Sequence, residues 1–263
     1  MGIDKREMKI KVLGAHNYAG QNLRMVSLLI DDVLAIDAGA LTSSLSPDAQ
    51  RKIKALLLTH HHYDHLKDIP ALAMCLAFGG ATTRIYSIPT TLDILARNLM
   101  NDEIYPDFRK KPEQNPAIIF NKIEPHKAEL IEGYTVLALP VSHSIPAVGY
   151  QVTAGDGKTV FYTGDTGPGL AECWRQVEPQ LLIIEVTYTD KHIEQAYRAK
   201  HLTPALLKQE LESFKKIKGY LPRVVAIHMT PDMEEQIAAE VAAVAQELDC
   251  PIPLAYEGME ISI

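Results

Sequence analysis

Four short apolar runs in this 263-residue chain end on a histidine or an aspartate, and that rhythm limits the possible folds most. KALLLT leads into His60, VLALPVS into His143, VFYTG into Asp165 and VVAI into His228. Runs this short and this apolar suit strands buried on both faces, in sheets covered by helices. Such strands hold their backbone rigidly, and the loops at their carboxyl ends are where α/β sheets place ligands. Four strand ends are therefore expected to converge on one rim.

The remaining pattern agrees with layered sheets. Strands are expected at 8–13, 25–30, 33–36, 54–58, 84–88, 117–120, 134–138, 150–152, 159–162, 181–184 and 223–227. Helices are expected at 66–78, closed by Gly79-Gly80, and at 91–100, 170–177, 203–216 and 231–248. Prolines make 102–116 irregular. No repeat or linker divides the chain, so residues 1–263 read as a single α/β domain with an insert at 89–116. That insert is expected to pack on the sandwich, with a cover over the site or a homodimer contact as alternatives. At 47% hydrophobic and 22% charged the composition excludes disorder and fibrous classes.

The stretch Thr59-His60-His61-His62-Tyr63-Asp64-His65 contains His-x-His-x-Asp-His. In a loop leaving a strand, His60 and His62 can grip one cation while Asp64 and His65 turn toward a second. Imidazole with carboxylate suits Zn²⁺, Mn²⁺ or iron. A histidine-rich surface turn is the competing reading; the interleaved aspartate and the core strand before it argue against it. His61 is expected to point away. His16, His126 and His192 read as structural or solvated, and Asp37 as a turn residue bracing the histidine loop.

This run resembles the hallmark of the metallo-β-lactamase fold superfamily. The resemblance implies a four-layer αββα sandwich with a two-metal site on its edge. His143 would join His60 and His62, Asp165 would bridge both ions, and His228 would join Asp64 and His65. Four further stretches, Asp165-Thr166-Gly167-Pro168, Glu185-Val186-Thr187-Tyr188, His201-Leu202-Thr203-Pro204 and His228-Met229-Thr230-Pro231, resemble the class II cyclic-nucleotide phosphodiesterases. Asn101 to Phe108 resembles another stretch of that family, and the likeness runs from about Ile10 to Gly258. Tyr63 stands where that family has Leu, and Tyr105 where it has Trp, which bears on substrate rather than on catalysis. The tRNA 3′-end nucleases of the same group carry a long arm between the third histidine and the bridging aspartate. His143 and Asp165 are only 22 positions apart, which leaves no room for one.

The function so implied is hydrolysis of a small cyclic phosphodiester, 3′,5′-cyclic nucleotides first, with two divalent ions as cofactors. Zn²⁺ is the first expectation for them, Mn²⁺ or iron the alternatives. An activated water would attack phosphorus in line, oriented by Asp64. By the resemblance, His201 is the acid or phosphate clamp and Glu185 holds its ring. The rival activities are a cyclic phosphodiesterase acting on a phosphorylated ribose, and a lactonase or thioesterase on the same scaffold. A net charge of −7 with scattered Lys and Arg counts against a nucleic-acid partner and leaves a small anionic substrate. No apolar run approaches the roughly 18–20 residues of a membrane span. Three cysteines without a CxxC pair lead to the expectation of a reducing cytoplasm.

Overall fold

The computed structural model describes residues 7–263. Among these, β1 (Lys9–Gly14), β2 (Ser27–Ile30), β3 (Leu34–Ile36), β4 (Ala55–Leu57), β5 (Thr83–Ser87) and β6 (Ile118–Lys122) build the first sheet. The late strand β13 (Glu260–Ser262) joins it in the order β13-β1-β2-β3-β4-β5-β6. The second sheet takes β7 (Ala128–Ile131), β8 (Tyr134–Pro140), β9 (Val148–Thr153), β10 (Thr159–Tyr162), β11 (Leu181–Glu185) and β12 (Arg223–Ile227). Its order is β12-β11-β10-β9-β8-β7.

Alternation along the strands divides the apolar residues between two cores. Leu28, Ile30, Leu34, Ile36 and Leu57 face the second sheet, where they meet Val136, Tyr150, Val152 and Val160. Leu29, Ala35 and Leu56 face the other way, under helices α1 (Leu41–Ser44), α2 (Pro47–Gln50), α3 (Tyr63–Leu66), α4 (Ile69–Gly79) and α5 (Pro89–Asn98). Helices α6 (Ala171–Gln176), α7 (Ile193–Ala199), α8 (Pro204–Lys218) and α9 (Glu234–Leu248) follow strands of the second sheet. Trp174 of α6 lies edge-on to Phe161 of β10 and to Phe214 of α8, at 6.0 and 5.3 Å between ring centroids. The layers are helix, sheet, sheet, helix: the αββα sandwich expected from the resemblance.

The helix expected over 66–78 is broken into α3 and α4. Ala38 N–H donates to the His65 carbonyl at 2.6 Å and Asp68 N–H to the Ala38 carbonyl at 2.9 Å. Those groups are thereby drawn away from the helical ladder, and Pro70 has no N–H with which to restore it. A second departure is at 231–248, where Pro231–Met233 forms a 3₁₀ turn before α9. Within 89–116, Leu92, Leu95, Met100 and Phe108 are buried in the outer core, and the loop after α5 is irregular as read. Asp107 holds that loop through Arg109 Nε at 2.7 Å and Lys110 Nζ at 3.0 Å. Among the described residues no helix is long and apolar enough to cross a membrane.

Candidate metal centre

Strand direction assembles the site. β8 and β10 each run antiparallel to β9, while β10, β11 and β12 are mutually parallel. Their carboxyl ends therefore share one sheet edge, and His143, Asp165, Glu185 and His228 stand on it. β4 delivers Thr59 to His65 from the other sheet. That loop is tied across by Val148 N–H to the Thr59 carbonyl, 3.0 Å, and by Tyr150 O–H to the Leu58 carbonyl, 2.9 Å. Gly164 has φ +60°, and a Cβ there would stand 2.9 Å from the Thr59 side chain, so only glycine allows this approach. Asp37 (φ +57°) and His228 (φ +71°) also adopt left-handed backbone, which is costly for such residues. Asp37 N–H to the Leu57 carbonyl at 2.9 Å and His228 N–H to the Ala15 carbonyl at 2.7 Å hold them there.

Two clusters with the spacing of metal ligands share one carboxylate: His60, His62, His143 and Asp165, and then Asp64, His65, Asp165 and His228. Asp165 Oδ2 lies 3.7 Å from His60 Nε2 in the first. Its Oδ1 lies 3.2 Å from both His65 Nε2 and His228 Nε2 in the second. Asp64 Oδ2 stands 3.4 Å from His65 Nε2 and 3.2 Å from His228 Nε2, and His62 Nδ1 lies 3.1 Å from His143 Nε2. Donors at about 2.0–2.2 Å from a tetrahedral ion stand roughly 3.3–3.6 Å from one another, so these separations fit.

Hydrogen bonding aims lone pairs inward. His143 Nδ1–H donates to the Lys200 carbonyl at 3.1 Å and His65 Nδ1–H to Asp37 Oδ2 at 2.8 Å, which turns each Nε2 toward the clusters, where in the neutral ring it is the lone pair. His60 Nε2, His65 Nε2 and Asp165 Oδ1 are buried without a hydrogen-bond partner. Buried polar atoms are rarely left unsatisfied, and three that converge among acceptors suit a cation. The donor set thus fits two divalent ions.

The two clusters differ in charge. Burial drives His60 well below the ordinary imidazole range and lowers His62, and it pushes His143 down to about 4. Burial also opposes charge on His65, but Asp165, Asp64 and Asp37 around it raise it well above that range. For Asp64 burial favours the neutral acid, yet His65 and His228 hold its carboxyl well below the usual carboxylate range. The first cluster is a nest of neutral imidazoles with one carboxylate, and the second has two carboxylates.

His201 stands beside both. Its ring lies 5.1 Å from that of His143 and is stacked 5.6 Å from that of His228. Nδ1–H donates to Glu185 Oε1 at 2.6 Å, which leaves Nε2 for the cavity that His201 lines. Burial would lower this imidazole, but the Glu185 carboxylate overrides it and raises His201 to about 9. Asn17, Met25, His62, Tyr63, Asp64, Asp165 and His228 complete that cavity, of about 360 Å³. Tyr63 is 62% exposed at its mouth. A larger cleft of about 810 Å³ lies away from the clusters, among Lys9, Lys11, Asp31, Asp32 and Tyr134.

The structure brings every candidate read from the sequence to this edge: His60, His62, Asp64, His65, His143, Asp165, Glu185, His201 and His228. His61 belongs to neither cluster, and His16 is buried elsewhere. Thr59 and Thr187 were missed. Their positions next to His60 and two after Glu185 were the available signal.

Residues 27–229, more than half of the chain, match the Beta-lactamase superfamily domain. The chain belongs to that superfamily. Over 123 residues it is 32% identical to Ribonuclease Z of Pyrococcus abyssi, a match covering 45% of this chain and 36% of that protein's length. Yeast PDE1 in its unliganded crystal structure shares the fold with a TM-score of 0.84 at 17% identity, over 98% of this chain and 99% of the other. The metallo-β-lactamase fold protein YhfI from Bacillus subtilis superposes with a TM-score of 0.77 at 19% identity, over 98% and 100% of the two chains. At these identities the superpositions show the fold alone.

Proposed function

We propose that this superfamily member is a metal-dependent phosphodiesterase acting on a small cyclic phosphodiester, 3′,5′-cyclic nucleotides first. The observation that carries the reading is His201. It is a basic, half-buried imidazole held by Glu185 at the edge of two cation-type clusters, where an anionic substrate with a poor leaving group needs both charge and a proton. Two divalent ions, held by His60, His62, His143 and Asp165 and by Asp64, His65, Asp165 and His228, would neutralise the phosphate and make water nucleophilic near neutral pH. Zn²⁺ is the first candidate. Asp64 would orient that water and take its proton, and Nε2–H of His201 would protonate the departing ribose oxygen. Glu185 keeps Nδ1–H engaged, so the ring offers Nε2 alone to substrate.

The segment from His143 to Asp165 is taken up by β9, a turn and β10, which supports a small substrate rather than tRNA. A second reading, cleavage of RNA, draws support from the partial likeness to Ribonuclease Z. The test is hydrolysis of cyclic AMP, cyclic GMP, bis-p-nitrophenyl phosphate and a tRNA precursor by metal-analysed protein. Release of nucleoside monophosphates with about two ions per chain is expected. Cleavage of the precursor alone would install the second reading, and inactivity on all four with both ions bound would turn the assignment toward a lactonase or thioesterase.

A further inference from the structure

Two buried carboxylates stand behind the clusters, and each serves two imidazoles in the same way. Asp37 accepts His65 Nδ1–H directly at 2.8 Å, and it accepts the Thr59 hydroxyl at 2.8 Å on Oδ2. Thr59 Oγ1 in turn lies 3.0 Å from His60 Nδ1. Glu185 accepts His201 Nδ1–H directly at 2.6 Å and the Thr187 hydroxyl at 2.7 Å on Oε2. Thr187 Oγ1 lies 2.8 Å from His228 Nδ1. All four of these residues other than the histidines are fully or almost fully buried.

Proton counting gives each bond its direction. A threonine hydroxyl has one proton and two lone pairs, and a carboxylate only accepts. Glu185 accepts Thr166 N–H at 3.0 Å and His201 on Oε1, and Leu202 N–H at 3.2 Å and Thr187 on Oε2. Since the Thr187 proton goes to Glu185, its oxygen can only accept from His228, and Nδ1 of His228 must carry the hydrogen. The same logic makes His60 Nδ1 a donor to Thr59. In the neutral ring, the form that ligates, Nε2 is then the lone pair, facing Asp165 from His60 and Asp64 and Asp165 from His228.

We propose that Thr59 and Thr187 are positioning residues that lock one histidine in each cluster into the tautomer able to ligate. This rests on the reading that the clusters hold ions. Without the Thr187 hydroxyl, His228 Nδ1–H loses its acceptor, and the ring gains by moving the proton to Nε2, where Asp64 Oδ2 at 3.2 Å accepts it. That hydrogen bond consumes the lone pair an ion needs. Valine matches the shape of threonine and lacks the hydroxyl, so the substitution isolates this effect.

The experiment loads the full chain with Zn²⁺ alone, dialyses it against graded chelator and counts zinc per chain, with imidazole ¹⁵N spectra reporting tautomers. Thr187→Val should release one ion at about 10- to 100-fold lower chelator concentration and keep the other as in the parent. Thr59→Val should do the same from its own cluster, the double variant should lose both, and Thr→Ser at either position should restore retention. The His228 ring should show the Nε2–H form in metal-free Thr187→Val and the Nδ1–H form in the parent. Parent-like retention of both ions in the valine variants, serine variants as weak as valine, or a parent chain that takes up no zinc would overturn the proposal. Substrate is not involved, so a parent that holds two ions but hydrolyses no cyclic phosphodiester would refute the phosphodiesterase reading and leave the threonines to be judged by retention.

Discussion

His201 concentrates the chemistry of the site in one ring, and its removal separates two tasks. His201→Ala should keep both ions and the fold, because its bonds run to Glu185 and Thr187 and it lies in neither cluster that shares Asp165. Turnover of a cyclic nucleotide, whose ribose oxygen leaves poorly, should fall about 10²- to 10⁴-fold. Turnover of bis-p-nitrophenyl phosphate, whose phenolate needs no proton, should change little; equal losses would remove the acid assignment. The ligands were legible in the sequence because the run from His60 to His65 and the order of His143, Asp165 and His228 match a family pattern, and His201 and Glu185 were legible through that resemblance alone. Asp37 was readable as a brace from its turn. That it faces His65, 28 positions away, depends on how β3 and β4 pair in parallel. Thr59 and Thr187 were illegible for a different reason. A hydroxyl is chemically ordinary until the direction of its proton is known, and that follows only from its neighbours in space.

At the level of elements, burial decided what could be read. β2, β3, β4, β10 and β11 are buried at every position, and each stood out as an apolar run. β7, whose Ala128 and Leu130 face solvent, and β13, with Ile261 alone buried, lie at sheet edges and carry too little apolar signal to declare themselves. α7 has Ala196 as its buried residue, so no apolar stripe marks it. Other elements are joined by a polar residue inside the core. Glu210 of α8 accepts Gly169 N–H at 2.7 Å, Leu170 N–H at 3.3 Å and Trp174 Nε1–H at 2.9 Å, which fastens the start of α6 to α8. The same loop carries Asp165, and α8 begins just after His201. Glu210→Ala should therefore cost about 2 kcal/mol or more in chemical denaturation, since it strands the buried N–H groups of Leu170 and Trp174. Glu210→Gln keeps an acceptor and should cost clearly less. Equal stability of the alanine variant and the parent would show that water replaces the carboxylate there.

Across the whole molecule, residues far apart in sequence are joined at one point beside the first sheet. β1 pairs with β13, and Arg24 N–H donates to Glu257 Oε1 at 2.8 Å. His16, 1% exposed, lies between Glu257 Oε1 at 2.8 Å from Nδ1 and Glu234 Oε2 at 3.1 Å from Nε2. Burial alone would lower this imidazole, but the two carboxylates outweigh it and raise it above 6.5. Burial would raise Glu257, and the bonds from His16 and Arg24 lower it below 4.5 instead. The protonated histidine therefore stabilises the fold fully below about 6.5, and that contribution is lost as pH rises through its raised folded value. The Glu257 contribution is present above about 4.5 and lost as pH falls through its lowered folded value. Between these limits the cluster supports the fold most. His16→Gln keeps hydrogen-bonding capacity but cannot carry the charge, so its melting temperature should fall below the parent's most near pH 5–6. The gap should narrow as pH rises through the raised folded value of His16, where the parent loses the same charge. Melting curves of both proteins across that range would check it, and a gap that stays constant with pH would mean that His16 supports the fold by shape and hydrogen bonding alone.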